Sequence, residues 1–410
     1  MRYAPQFARY ILDTYLSDES NPDYAFVHHG SPVPVQFYIF NEMLNSDSKK
    51  TCAAEYYDRL KLYYDFFLGK IRGSTTAKFK SGLLTTYDYF YSSSGMDDYP
   101  AQVAMMHDEL RDTAAPVITS AHAIRIAKIM LKAAKRLHKS EDCSVYEKDI
   151  KRLTNALNLY SWDEESGYFS YVLHDENYNP IGQYKLPNGE NLNKGLDGVY
   201  PLVSGVCNVE QKKKLLSHLM SENEMLSRYG VSAVDTSASY FKVNGYWNGN
   251  IWFAHQWFLF KTMLDLGEND FAYEIAHRAL DVWKRESEYA YYTFEMVNVV
   301  TGRGGWFHNF GALSLPINMW AAAYFKPGTM TVGFDAEIKK CEFSDDNTTA
   351  EITLTKPKGN ECVIIAAMND RYAYNVMSDE VISARERFGG EVEIKLSAES
   401  EMCRIIVQKI

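Results

Sequence analysis

The sequence lacks the features that mark several large classes of protein. Its six cysteines are scattered through 410 residues without a Cys-x-x-Cys pair, so it offers little support for a zinc, redox or disulfide site. It has no apolar run of the length that spans a membrane. The first residues, Met1 to Pro5, contain no apolar signal core. These absences predict a cytoplasmic protein with reduced thiols and no membrane contact.

An excess of positive charge is also lacking. Lysine and arginine number 43 against 53 acidic residues, a net charge of −10. Proteins that bind nucleic acid present a basic surface, so we expect no nucleic-acid partner. Aromatic residues, in contrast, are abundant: 14% of the chain, with 30 Tyr and 7 Trp. The length and the 46% hydrophobic content suit one large domain and one small one.

Apolar residues recur at three-four spacing from the N-terminus to about Phe325. This spacing predicts about ten amphipathic helices, joined alternately by short turns and by long loops rich in aromatic residues. Such a pattern is typical of an all-α toroid, in which one end of an inner ring of helices carries the site. A solenoid of stacked helix pairs is the alternative, but no fixed repeat period is visible.

The pattern changes after Lys326. Short β-branched runs with period-two alternation follow, for example Ala350 to Leu354 and Val392 to Leu396, separated by Asp, Asn and Gly turns. We therefore expect two domains: a helical toroid over 1–326 and a small β-sandwich-like domain over 327–410. No cluster of candidate catalytic residues stands out in the second part, which predicts a structural role for it.

Two segments about two hundred residues apart each set a carboxylate among aromatic residues and glycines. Asp97 lies within Ser94–Pro100, and Glu295 precedes the turn at Thr301 to Trp306. Hydrolysis of a glycosidic bond needs two carboxyl groups, one to protonate the leaving oxygen and one to activate water or to attack. An isolated Asp97 could equally rigidify its loop. Glu295 stands in an otherwise uncharged stretch, where a carboxylate is uncommon without a role.

These segments resemble known sequences. Ser94–Pro100 is similar to the acid-bearing loop of glycoside hydrolase family 63 and the related trehalases. Further segments match that group in the same order along the chain: Trp162 to Phe169, Gly198 to Leu202, Tyr229 to Ser232, Tyr246 to Trp252 and Thr301 to Gly304. Each match is loose, but the ordered set is specific.

The resemblance implies an (α/α)6 barrel and an inverting glycosidase that acts on α-linked glucose or mannose. It implies that Asp97 is the general acid and Glu295 the general base. No metal or organic cofactor is implied, and the adjacent His28 and His29 offer no third ligand for a metal. A phosphorylase on a similar toroid would bind phosphate where the base lies, and Glu295 disfavours it.

The same segments supply candidates for substrate binding. Asp98 and Tyr99 follow the acid, and Pro100 restricts Tyr99 to an extended conformation. Trp247 and Trp306 lie in loops, where we expect sugar stacking, although Trp is more often a core residue. His255 is as well explained by a structural role as by a substrate contact. The candidate substrate-binding residues are Asp98, Tyr99, Gln36, Trp247, Asn248, His255 and Trp306.

The chain also departs from the family pattern. Asn248 stands where the family has an arginine that helps to hold the sugar, and Asn250 replaces a proline. About ten helices are readable where a closed double ring has twelve, which favours a fragment or trimmed variant that lacks the first helices. We then expect an open apolar groove beside Phe7 to Tyr15, with either a contact to another chain in this place or weak solubility of the protein. The alternative function is a non-catalytic or truncated carbohydrate-binding toroid.

Overall fold

The computed structural model describes residues 2–16, 33–46, 51–71, 73–86 and 94–410. His28 and His29 lie outside these residues. Up to Phe325 the described chain forms helices at Pro5–Tyr15 (α1), Val35–Ser46 (α2), Cys52–Phe67 (α3), Pro100–His107 (α4), Val117–Arg136 (α5), Ser140–Ala156 (α6), Leu196–Ser204 (α7), Val209–Met220 (α8), Phe253–Asp265 (α9), Asn269–Ala290 (α10), Gly311–Ser314 (α11) and Pro316–Phe325 (α12). Each helical segment expected from the periodicity overlaps at least one of these helices.

The helices form two layers. Helix α5 buries 15 of its 20 residues, whereas α6 buries 4 of 17, so α5 belongs to an inner layer and α6 to an outer one. Helices α2, α5, α7, α9 and α12 are the strongly buried ones, and successive members of this series contact each other. The described residues therefore build a helical toroid. None of the helices in these ranges is long and apolar enough to cross a membrane.

Loops with short strands precede the inner helices α5, α7, α9 and α12. Their short strands are Ala114–Ala115 (β1), Trp162–Asp163 (β2), Tyr168–Phe169 (β3), Val172–His174 (β4), Pro180–Gln183 (β5), Leu226–Ser227 (β6), Gly230–Val231 (β7), Phe294–Val297 (β8) and Gly304–His308 (β9). Isolated bridges join the loops to one another: Gly195 with Val234, Ser232 with Ile251, and Ile251 with Val297. Loops from distant parts of the sequence thus form one connected surface.

The last part of the chain forms two four-stranded antiparallel sheets that share an apolar core. Their strands are Thr329–Thr331 (β10), Glu337–Phe343 (β11), Thr349–Thr355 (β12), Cys362–Ala367 (β13), Tyr374–Met377 (β14), Val381–Glu386 (β15), Glu391–Leu396 (β16) and Met402–Lys409 (β17). The strand orders are β10-β13-β16-β15 and β11-β12-β17-β14. Strand β13 packs against α9 and α12, so the sheets lie directly on the toroid.

Buried charged residues on the inner helices bind the segment between β10 and β11 of the sheets. Arg125, on α5, donates to the Asp335 carboxylate, and Asp265 at the end of α9 accepts the backbone N–H groups of Phe334 (2.7 Å) and Asp335 (2.9 Å). Burial and the charge of Asp335 raise the pKa of Asp265 to about 6. Burial alone would raise the pKa of Asp335, but the charges of Arg125, Lys128 and Lys132 outweigh it and hold that pKa well below its usual range.

An apolar groove of about 450 Å³ lies between α1, α2, α9 and α12. Phe7 on its wall is 59% exposed, whereas Leu12 on the same helix is fully buried. The sequence predicts an uncovered apolar surface in this place. The groove floor carries an ion pair, because Lys261 Nζ lies 2.6 Å from the Glu42 carboxylate.

Replacing Arg125 by Met should lower the free energy of unfolding by about 3–5 kcal/mol, because the Asp335 carboxylate would lose its partner inside the protein. Lys135→Met, on the same helix, is the matched control. Lys135 pairs with Glu147 at 3.8 Å on the exposed surface, and its loss should cost under about 1 kcal/mol. Urea unfolding of the two variants checks this. Equal destabilisation would show that the buried pair does not fasten the sheets.

Candidate active site

Glu295 lies on β8, in a hairpin with β9, and is only 6% exposed. The Tyr246 hydroxyl donates a hydrogen bond to its Oε1. Its other oxygen, Oε2, is buried and has no hydrogen-bond partner among the residues that the structure describes. The carboxylate is therefore held at one oxygen, whereas the other has no hydrogen-bond partner among the described residues.

The β8–β9 hairpin contains a bulge opposite Glu295. Phe294 pairs with His308 and Met296 with Gly305, so Trp306 and Phe307 together face the single residue Glu295. Trp306 adopts the left-handed conformation, with a φ of +67°. Because a bulge interrupts strand alternation, Trp306 and Phe307 are both 62% exposed instead of pointing to opposite faces.

Asp97 and Asp98 lie in the loop that leads into α4. The Ser94 hydroxyl accepts hydrogen bonds from the Met96 N–H (3.0 Å) and from Gln102 (2.7 Å), which tightens this loop. Tyr99 is extended (φ −59°, ψ 132°) before Pro100, as the sequence predicts, and α4 begins at Pro100. Both aspartates remain partly exposed.

The structure brings Asp97, Asp98 and Glu295 into one site. Asp98 Oδ1 accepts a hydrogen bond from the Trp247 N–H at 2.7 Å, which ties the Asp97 loop to the Tyr246 loop. Burial raises the pKa of Asp97, and the charges of Glu295 and then Asp98 raise it further. Tyr246, which donates to Glu295, directly precedes Trp247, so the two carboxylate-bearing segments meet at this loop. A carboxyl group with a raised pKa can donate its proton to a bound substrate, while a neighbouring carboxylate can accept a proton.

The other candidate residues lie in different surroundings. Trp247 is 2% exposed and stacks on Trp252 at 3.6 Å. His255 is buried with its Nδ1 2.5 Å from the Tyr200 hydroxyl, and burial lowers its pKa to about 3, so it is neutral. Trp306, in contrast, has an exposed ring whose centroid lies 5.2 Å from that of Tyr246. Of the two loop tryptophans, only Trp306 presents a ring face to solvent beside Glu295.

Gln36, Tyr99 and Asn248 complete the set. Gln36 and Tyr99 are buried, Gln36 at the start of α2 and Tyr99 behind the Asp97 loop. Asn248 follows Trp247, and its backbone carbonyl accepts the Lys242 N–H at 3.0 Å. Within the described ranges, no hydrogen bond joins these three side chains to Asp97 or Glu295.

Asn250 is a site residue whose role the sequence does not reveal. Its side-chain N–H group donates to the Gly245 carbonyl and to Met296 Sδ (3.2 Å), and its Oδ1 accepts the Val299 N–H at 3.1 Å. The side chain thus joins the Tyr246 loop to the segment that follows Glu295. The proline of the family pattern could make none of these bonds. Tyr246 was also missed, although it directly precedes Trp247 in the matched segment.

One group of potential metal ligands lies elsewhere in the described chain: His218, Glu224 and Asp235. Its members already bind each other and their neighbours. His218 Nδ1 lies 3.0 Å from Glu224, and Asp235 accepts the Tyr168 hydroxyl at 2.9 Å. We assign this cluster to the support of the surrounding loops.

Comparison with known proteins places these features in a family. The family model for the mannosylglycerate hydrolase MGH1-like glycoside hydrolase domain matches residues 33–311. The mannosylglycerate hydrolase of glycoside hydrolase family 63 from Thermus thermophilus, solved with glucose, is 18% identical. That match covers 71% of this chain and 75% of the other, with a TM-score of 0.54.

A sialidase matches over 90% of this chain and 32% of its own length, with 13% identity and a TM-score of 0.55. At these identities the structural matches establish the fold. No curated protein matches in sequence.

Replacing Asn250 by Ala should lower the free energy of unfolding by about 1–3 kcal/mol, because two backbone groups buried in the site would lose their partner. Asn244→Ala is the control, since Asn244 makes only a 3.5 Å contact with Asn298 near the surface. Thermal unfolding of the two variants measures the difference. Equal midpoints would contradict the role of Asn250 as the link between the two loops.

Proposed function

The chain belongs to the mannosylglycerate hydrolase MGH1-like glycoside hydrolase family, and we propose that it is an inverting glycosidase that cleaves an α-glucoside or an α-mannoside. The observation that carries the proposal is the pairing of two unlike carboxyl groups. Asp97 is partly exposed with a raised pKa, whereas Glu295 is nearly buried and receives a hydrogen bond. Unequal environments of this kind divide the roles of acid and base.

In the proposed reaction Asp97 gives its proton to the glycosidic oxygen as the bond to the anomeric carbon breaks. Glu295 Oε2 takes a proton from a water molecule, whose oxygen bonds to that carbon on the opposite face. An inverting enzyme holds its two carboxyl groups about 6.5–9.5 Å apart to leave room for the water. The two carboxyl groups account for both proton transfers, so the proposal includes no cofactor.

The substrate would lie along the surface between Asp97 and Trp306. The Trp306 ring is exposed, so a sugar ring could stack on it. Asp98 accepts the Trp247 N–H group with one carboxylate oxygen, and its second oxygen would accept a hydrogen bond from a sugar hydroxyl group. Trp247, Tyr99, Gln36 and His255 would then shape the pocket from within, and Asn248 would face the sugar in place of the family arginine. Mannosylglycerate, the substrate in the name of the Thermus enzyme, is one candidate.

We also propose two domains. Residues 1–326 form an (α/α)6-type toroid, and residues 327–410 form a β-sandwich-like domain that supports it. Cys143, Cys207, Cys341, Cys362 and Cys403 form no disulfide among the described residues, and Cys362 and Cys403 are buried. Free thiols fit a reducing compartment, which supports the proposed cytoplasmic location.

We also propose that another protein chain contacts the groove beside α1, and a second copy of this chain is the partner tested below. Phe7 and Tyr10 are exposed on this helix, and the groove walls are apolar. Apolar surfaces of this kind commonly form contacts between proteins.

Asp97→Asn and Glu295→Gln should each lower kcat by at least about a hundredfold, because each removes one of the two proton-transfer groups. The exposed Asp112→Asn and Glu288→Gln serve as controls. The assay is hydrolysis of α-gluco- and α-manno-disaccharides and of mannosylglycerate, with NMR to identify the anomer first released. Near-normal turnover in either site variant, with unchanged circular dichroism, would sink the assignment. Release of the retained anomer would refute inversion.

Phe7→Gln should reduce self-association of the purified protein, since it removes an aromatic ring from the proposed contact. Ile382→Gln, on the exposed face of β15, is the control and should leave association unchanged. Sedimentation velocity over a range of concentrations measures the effect. A wild-type chain that stays monomeric throughout would refute the contact.

A further inference from the structure

We propose that Tyr246 is the positioning residue for Glu295: its hydroxyl fixes one carboxylate oxygen so that the other faces the attacking water. This inference rests on the proposed function in taking Glu295 as the base. Its structural part, that Tyr246 sets the orientation of the Glu295 carboxylate, can be tested without any substrate.

The first support is the isolation of Glu295. It is nearly buried, and within the described residues it forms no ion pair with lysine or arginine. The nearby Arg303 is engaged by Glu286, with Nε 2.6 Å from that carboxylate. Tyr246 is the hydrogen-bond donor that the structure shows on Glu295. Because a carboxylate can rotate about its side-chain bonds, a single strong donor decides which oxygen stays free.

The second support is that Tyr246 is itself held firmly. Its ring contacts Trp252 edge-on at 4.7 Å and the Trp306 ring at 5.2 Å. Its backbone carbonyl accepts the Trp252 indole N–H at 3.3 Å. Trp252 is fully buried and stacked on Trp247, so this support is rigid. A hydroxyl on such a ring can define the position of its acceptor.

The third support is the protonation of Tyr246. Burial raises its pKa, and the hydrogen bond to Glu295 and the charges of Glu295, Asp97 and Asp98 raise it further. The phenol therefore stays protonated and remains a donor at any pH at which the enzyme would work. Asp98 binds the backbone of the next residue, Trp247, so Tyr246 lies between the two loops of the site.

The test compares Tyr246→Phe with wild type by crystallography and by kinetics. We expect Glu295 to rotate or to occupy two conformers in the variant. We also expect kcat to fall about 10- to 100-fold with KM within about twofold of wild type, and the acidic limb of the pH–rate profile to move to higher pH. Tyr289→Phe, which removes an exposed phenol at the end of α10, is the control and should change none of these.

Two outcomes are decisive. An unmoved Glu295 in Tyr246→Phe overturns the inference, whatever the activity. A displaced Glu295 supports it even if the wild-type chain hydrolyses no glycoside, and in that case it is the proposed function that has failed. If Tyr246→Phe does not fold, a fluorinated tyrosine at position 246 preserves the ring and strengthens the donor. The acidic limb should then move to lower pH, and an unchanged limb overturns the inference.

Discussion

The structure depends on a buried set of contacts between the inner helices and the C-terminal sheets. Arg125 donates to the Asp335 carboxylate, and Asp265 accepts the backbone N–H group of Phe334. The Phe334 ring lies 5.3 Å from Tyr38 and 5.4 Å from Trp257, so a residue from the last part of the chain sits among the inner helices. Charges buried this deeply are stable only as a complete set. The inner helices are therefore fixed at the end opposite the site loops, since Asp265 ends α9 whereas Trp252 directly precedes it.

From this fixed frame, a short series of contacts reaches the two carboxyl groups. Asp98 binds the backbone of Trp247, Trp247 stacks on Trp252, and Trp252 supports Tyr246, which holds Glu295. Two carboxylates close together repel each other, so neither would keep its place without such supports. The geometry of the site is thus a property of the loop that precedes α9 more than of either carboxylate-bearing loop alone.

Parts of this arrangement follow from the sequence, and parts do not. The helices and the strands after Lys326 are predictable because three-four and period-two spacings are local patterns. The loops of Asp97 and Glu295 are recognisable from their motifs. The burial of Trp247, the bulge that exposes Trp306 and Phe307, and the three bonds of Asn250 are not, because each depends on a partner brought near only by the fold. Helix α4 was missed because its eight residues are too few to establish a period.

The insertion of Phe334 into the ring has a consequence for synthesis on the ribosome. A nascent chain that has emerged only as far as Phe325 already contains every inner helix of the described toroid. It still lacks the Asp335 counter-charge for Arg125 and the carbonyl of Phe334 that accepts from Lys132. Arg125 and Lys132 therefore remain without these partners until the C-terminal sheets have emerged, and the complete set of buried contacts forms only then.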